Sequence, residues 1–274
     1  MTVSLPIRKL KKLARQMLKG RYLMALVIVF ISVVIGQAPS YILSFLFSSK
    51  VLSYLLDCYN VLISGPLTLG LSYYFLELFR GSEELGTGSF TKGFSNMWNA
   101  VMLFCICALR ILLWSFLFVV PGIIAAIRYS QAFFILADDP SLKPYECIER
   151  SKAMMLGNKG HFFRLELSFL PWYMILMIPA YIYMSETMDF SAAITQEQML
   201  SIVAQAANQP VFILLSLLPM LIRPLVWTSR ACFYDIASGS LQLQFDGQMP
   251  YDYSGNSRDH YEITGFESSR DDDE

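Results

Sequence analysis

A chain of 274 residues with 55% apolar and only 16% charged residues is too poor in charge for an ordinary soluble domain, where about 25% is usual. The net charge of −1 is the sum of a basic N-terminal stretch and an acidic C-terminal one. It does not point to nucleic acid as a partner, and no nucleic-acid-binding signature accompanies the basic stretch.

Taken in chain order, residues 1–21 read as a basic amphipathic helix from about Leu5 to Lys19, with Ser4 as its cap and Pro6 near the first helical position. Leu10, Leu13, Met17 and Leu18 share one face, and Lys9, Lys11, Lys12 and Arg15 occupy the rest. Such a helix suits the anionic lipids of a cytoplasmic leaflet. The basic start followed by Leu23–Ile35 imitates a signal peptide. It lacks a small-residue cleavage pattern, so an uncleaved anchor is expected.

Residues 22–237 read as a multi-pass membrane domain. About 20 apolar residues are needed to cross about 30 Å of hydrocarbon. Six runs qualify: 22–45, 61–79, 100–120, 122–137, 162–183 and 210–227. The third and fourth meet at Pro121-Gly122, a breaker pair that predicts a tight hairpin. The fourth run is short and carries Arg128 and Gln131, so whether it spans fully is open. Two further amphipathic stretches, Phe90–Trp98 and Pro144–Leu156, precede the third and fifth runs. From residue 238 the composition turns polar and acidic, ending Asp271-Asp272-Asp273-Glu274. A disordered cytoplasmic tail over 238–274 is expected.

Lysine and arginine are retained on the cytoplasmic side of short loops. With the N-terminus inside, 17 of the 21 basic residues fall in inner segments, Lys50 falls outside, and Arg110, Arg128 and Arg223 lie within runs. Six spans with both termini cytoplasmic are therefore expected. The even-numbered runs share a pattern around Ser72-Tyr73-Tyr74-Phe75, Ser130-Gln131-Ala132-Phe133 and, more loosely, Ser229-Arg230-Ala231-Cys232. Either the chain repeats one unit of surface helix plus helix hairpin three times, or apolar segments with small residues simply look alike.

Charges at membrane depth are the informative residues, since each costs at least about 2.5–3.5 kcal/mol at a helix centre. Arg223 shares its depth with Glu77 and Glu166, so an intramembrane ion pair with either is expected, unless each side chain snorkels alone. No carboxylate shares the depth of Arg110 or Arg128. With Tyr129 and Gln131 they form a candidate binding site for the anionic group of a ligand or lipid. The alternative is a structural role, with helix carbonyls, the Tyr129 or Gln131 side chains, or the Trp114 face as partners. No catalytic motif is present: no HExxH helix, phosphate loop or GxSxG elbow. The five cysteines make no CxxC pair and the two histidines are far apart, so no metal or cofactor is expected. Asp138-Asp139 before Pro140 reads as a turn, with a carboxylate pair acting on phosphate as the sharper alternative.

The stretch Pro121-Gly122-Ile123-Ile124…Arg128-Tyr129-Ser130…Phe134-Ile135-Leu136-Ala137-Asp138-Asp139-Pro140 resembles a bacterial membrane family known as domain of unknown function 975. Glu146-Cys147-Ile148…Ser151-Lys152…Gly157-Asn158-Lys159 and Ser64-Gly65-Pro66-Leu67…Gly70-Leu71 extend the likeness over roughly residues 1–237. The resemblance implies a multi-pass cell-membrane protein with no assigned activity. A more distant likeness to the membrane portion of some glycerophosphodiester phosphodiesterases does not include their catalytic residues. The expectation is a non-enzymatic scaffold or regulator working with envelope proteins or a second copy of itself, with a transporter or lipid-handling protein as the alternative.

Overall fold

The computed structural model describes residues 5–46, 50–81, 86–187 and 210–240. The expected helix cap Ser4, most of the last outer loop and all but the first residues of the acidic tail lie outside these. Among the described residues every regular element is helical: α1 (Ile7–Leu18), α2 (Tyr22–Leu46), α3 (Lys50–Phe79), α4 (Thr87–Ser95), α5 (Met97–Leu117), α6 (Val119–Tyr129), α7 (Ala132–Asp138), α8 (Pro144–Met154), α9 (Lys159–Leu167), α10 (Leu170–Thr187), α11 (Pro210–Ser216), a 3-10 turn (Leu218–Ile222) and α12 (Arg223–Ser238). Five segments, Tyr22–Leu43, Tyr54–Phe79, Met97–Leu117, Val119–Asp138 and Lys159–Glu186, are long and apolar enough to cross a bilayer. The protein is an all-helical membrane protein.

The run expected at 122–137 is two helices that break at Ser130-Gln131, where the Ser130 hydroxyl donates to the Ile127 carbonyl at 2.9 Å. A serine bonded back to the preceding turn competes with the helical ladder and bends it. The hairpin turns at Phe118 rather than at Pro121-Gly122. Pro121 sits in the first turn of α6, where its missing N–H would have had no helical partner anyway. The sixth run, 210–227, is likewise divided, by the 3-10 turn that joins α11 to α12. Pro66 is carried within α3, whose Ser64, Thr68 and Ser72 hydroxyls each donate to the carbonyl one turn earlier.

The core lies where the inner half of α3, α7 and α12 meet, around the fully buried Tyr74, Phe75, Phe79, Phe134 and Phe233. The three short amphipathic helices pack onto it: α4 against α3, α8 against α7, and α1 against α12. α1 turns Leu10, Ala14 and Leu18 into the protein and leaves Arg8, Lys9, Lys12, Arg15 and Lys19 exposed. Its apolar face therefore covers protein, and its basic face is the one presented outward. α8 is started by Pro144, with the Lys143 N–H donating to Glu146 Oε2 at 3.4 Å. α3 and α12 both stop at a glycine with positive φ, Gly81 (77°) and Gly239 (84°), a conformation closed to most side chains.

Glycine also permits close backbone-to-backbone approach between helices. A Cβ on Gly93 of α4 would stand 2.6 Å from the Pro66 carbonyl oxygen and against the Gly70 backbone. One on Gly65 would stand 2.5 Å from the Ala100 carbonyl oxygen of α5. The Ser64-Gly65-Pro66…Gly70 stretch is thus the strip of α3 on which α4 and α5 lie backbone to backbone.

Candidate functional site

The ends of α3, α7 and α12 are tied by one cluster. The Arg80 guanidinium donates from Nη1 to Asp138 Oδ1 at 2.6 Å and from Nη2 to Asp235 Oδ1 at 2.8 Å. Tyr234 completes it, its hydroxyl donating to Asp138 Oδ2 at 2.9 Å. Behind these polar groups runs a ladder of rings. Phe75 stacks on Trp227 at 5.9 Å, Trp227 meets Phe134 at 6.0 Å, and Phe134 stacks on Tyr234 at 5.8 Å. Asp235 is buried, which pushes its carboxyl above the usual range, and the Arg80 hydrogen bond only partly offsets this. Burial works against the Arg80 charge too, but the two carboxylates outweigh it and hold the guanidinium protonated. Burial and the neighbouring Asp138 raise the Tyr234 phenol, so it stays a donor. One cation shared by two acids and a phenol locks three helix ends together. Asp138 is thus a partner of Arg80 and Tyr234 as well as part of the turn the sequence suggests.

The sequence did not expose this cluster. Arg80 and Asp138 follow Ser72 and Ser130 by eight residues, and Asp235 follows Ser229 by six. That recurrence of a charge a few residues past each of the three serines is the one signal that pointed to it.

The expected Arg223 ion pair does not form among the described residues, because both carboxylates take other partners. Glu166 receives a two-pronged contact from Arg230, Nε to Oε1 at 2.7 Å and Nη2 to Oε2 at 2.8 Å. Glu77 receives Lys92 at 2.7 Å. Arg230 lies one residue past Ser229, on the face of α12 turned to α9, whereas Arg223 begins the helix. Similar depth is not enough when the azimuth around the helix is wrong.

Arg110 does meet Tyr129, with its guanidinium carbon 6.0 Å from the ring centre, and it also lies 5.5 Å from the ring of Tyr145 on α8. Lys152 of α8 approaches the same Tyr129 ring at 5.9 Å. Arg110 Nη1 is buried without a hydrogen-bond partner. Arg128 is drawn to α8 through its backbone: the Ser151 hydroxyl donates to the Arg128 carbonyl at 2.7 Å. Gln131 is fully buried, its Nε2 donating to Ser130 Oγ at 3.2 Å and its Oε1 unpartnered. Arg110 and Tyr129 are therefore brought together, while Gln131 faces the core. The residue missed on this side is Lys152, with Tyr145 beside it.

An open groove of about 510 Å³ lies beside α1, lined by Lys12, Arg15, Gln16, Lys19, Tyr22 and Leu225. Among the cysteines Cys107, Cys147 and Cys232 are buried. Burial pushes the Cys147 thiol up to about 11, so it packs as a small apolar group rather than as a nucleophile.

No curated protein and no solved structure matches the chain. A family model described as "Protein of unknown function (DUF975)" matches residues 5–127 and 116–237. Together these two overlapping segments take in α1 through nearly all of α12, the Arg80 cluster and the Arg110–Tyr129 contact, so the chain belongs to the DUF975 family.

Proposed function

We propose that this protein is a non-catalytic scaffold or regulator of envelope components in a bacterial cell membrane, with both termini in the cytoplasm. The observation that carries the reading is the use made of its inner charges. Arg80, Asp138, Asp235, Glu77, Glu166 and Arg230 are spent on holding helices to one another. What is presented outward is the basic face of α1, with Arg8, Lys9, Lys12, Arg15 and Lys19 exposed. That face suits the phosphates of anionic lipids at the cytoplasmic surface, or an acidic partner.

The architecture behind this reading is three units, each an amphipathic helix followed by a helix hairpin. α4 and α8 each pack on the second arm of the preceding unit, and α1 packs on the last, α12, which closes the ring. Ser72, Ser130 and Ser229 occupy matching places in the second arms, and each hydroxyl bonds back to a carbonyl of the preceding turn.

Reporter fusions after Gly86, Gly157 and Gly239 are expected to read cytoplasmic, and fusions near Lys50 and Gln196 external. An external reading after Gly157 would overturn the orientation. Isolation in mild detergent is expected to recover the protein with envelope partners or as an oligomer. A clean monomer that transports a solute in liposomes would defeat the scaffold reading.

The second reading, an anion-binding pocket in a transporter or lipid-handling protein, is favoured by the unpartnered Arg110 Nη1 beside Tyr129 and Lys152. On the scaffold reading, Arg110→Leu changes stability by no more than about 1 kcal/mol, because weak ring contacts are lost together with a buried donor that had no acceptor. The measurement is thermal unfolding in detergent, paired with complementation of a deletion strain. Loss of complementation by Arg110→Leu and by Arg110→Lys, at unchanged stability, would favour the pocket.

A further inference from the structure

α1 carries its charge as a row. Arg8, Lys12, Arg15 and Lys19 follow one another at spacings of four, three and four residues, which on a helix sets them in a line about 16 Å long. All four are exposed, while Leu10, Ala14 and Leu18 are buried against the protein. Like charges at these spacings repel one another, so the row calls for counter-charge from elsewhere. Arg80, Lys92, Arg150, Lys152 and Arg230 each lie beside a carboxylate. Among the described residues no carboxylate pairs with Arg8, Arg15 or Lys19.

The matching charge lies at the other end of the chain. Residues 1–21 carry seven lysines and arginines and no acid, whereas residues 241–274 carry nine acids against two arginines. Four of those acids are consecutive, Asp271-Asp272-Asp273-Glu274. The fold brings the two segments to one place, because α1 runs antiparallel to α12, on which it packs. At one end the Tyr22 hydroxyl, just past α1, donates to the Leu221 carbonyl just ahead of α12. At the other end the Leu5 backbone reaches His161, whose ring stacks on Phe233 at 6.3 Å. α12 stops at Ser238, about 8 Å beyond Phe233. The chain therefore passes Gly239 at the Arg8 end of the row. From there to Asp271 the backbone can extend to about 110 Å, several times the length of the row. Being on one chain makes the encounter intramolecular, which raises its effective concentration. Several surface pairs that are individually weak can then act together.

We infer that Asp271, Asp272, Asp273 and Glu274 dock on the row Arg8, Lys12, Arg15 and Lys19 of the same chain, and that anionic lipid headgroups compete with them for these cations. The competition rests on the reading of α1 as a lipid-facing surface given above, whereas the docking does not. The docking also holds whichever side of the membrane carries α1, since α1 and the end of α12 lie together. The density of anionic lipid thereby sets how much of the α1 face is free.

A water-soluble carbodiimide, which joins a lysine amine to a carboxylate only where the two are in contact, provides the test. In the full-length protein in neutral detergent at low salt, amides from Lys12 or Lys19 to residues 271–274 are expected within one chain, read by mass spectrometry of the monomer band. Their yield is expected to fall severalfold in about 1 M salt, where the screening length is about 3 Å. Arg8→Gln with Arg15→Gln should lower it severalfold, and Arg8→Lys with Arg15→Lys should retain it. Both side chains are exposed, and an unchanged thermal-unfolding midpoint is expected for each pair. The docking is overturned if residues 271–274 couple to the exposed Lys143 as often as to Lys12 and Lys19, or couple only between chains. A yield indifferent to salt and to the glutamine pair would overturn it as well. In phosphatidylglycerol vesicles the yield is expected to be severalfold below that in phosphatidylcholine vesicles. Equal yields in the two would count against α1 as a lipid surface while the docking stands.

Discussion

Arg80→Leu is expected to destabilise the protein by about 3 kcal/mol, the lower end of the range for removing one member of a buried ion pair. The loss arises because Asp235, with a side chain only 2% exposed, is left without its cation. The lower end applies because Arg80 and Asp138 keep 27% and 31% exposure and some hydration. Asp235→Leu alone removes the buried acid and leaves Arg80 with Asp138, so its cost is smaller. The double variant, Arg80→Leu with Asp235→Leu, is expected to recover much of the loss, since an apolar pair of similar volume replaces a buried charged one at little cost. With the exposed Cys58 and Cys105 changed to alanine in every variant, unfolding can be followed by a thiol-reactive dye, because Cys147 and Cys232 are buried until the helices part. Equal midpoints for wild type and Arg80→Leu would mean that the cluster does not hold the three helix ends.

Gly93→Ala is expected to cost about 3 kcal/mol, against a helix-propensity gain of about 1 kcal/mol for the same exchange at an open site. The added methyl meets the Pro66 carbonyl at 2.6 Å and the Gly70 backbone. These are main-chain atoms, which cannot rotate aside, so α3 and α4 must separate. Gly88, on the same helix, has nothing within 4 Å of a built Cβ. Gly88→Ala should therefore be neutral or stabilising by up to about 1 kcal/mol. Opposite signs at the two glycines in one thermal-unfolding series identify packing as the cause. A loss of similar size at both would assign it to the helix itself.

Both effects concern features that a linear reading ranks poorly. Gly93 looks like a weak point in a short amphipathic stretch, and only its contact with Gly70 shows that it is a packing surface. Arg80 looks like one more positive charge on an inner loop, and Asp235 lies eight residues past the last apolar run expected to span. The Arg223 pairing failed for a related reason. Depth along a helix follows from counting residues, but which side chain faces a neighbour depends on how the helices pack, and Arg230 rather than Arg223 faces Glu166.

The sequence by itself determined the class of protein, the places of its helices and the uneven distribution of its charges. These follow from hydropathy over about 20 residues and from local breakers, and both are written in consecutive residues. It also marked α8 closely, because Pro144 and Glu146 sit where a helix start needs them. The tertiary structure alone decided that the apolar face of α1 covers α12, that Arg80 joins residues 58 and 155 positions away, and that α8 meets the second hairpin at Arg110 and Arg128. Contacts of that kind depend on the rotation and crossing of helices, which backbone-to-backbone packing at a few glycines sets and hydropathy does not encode.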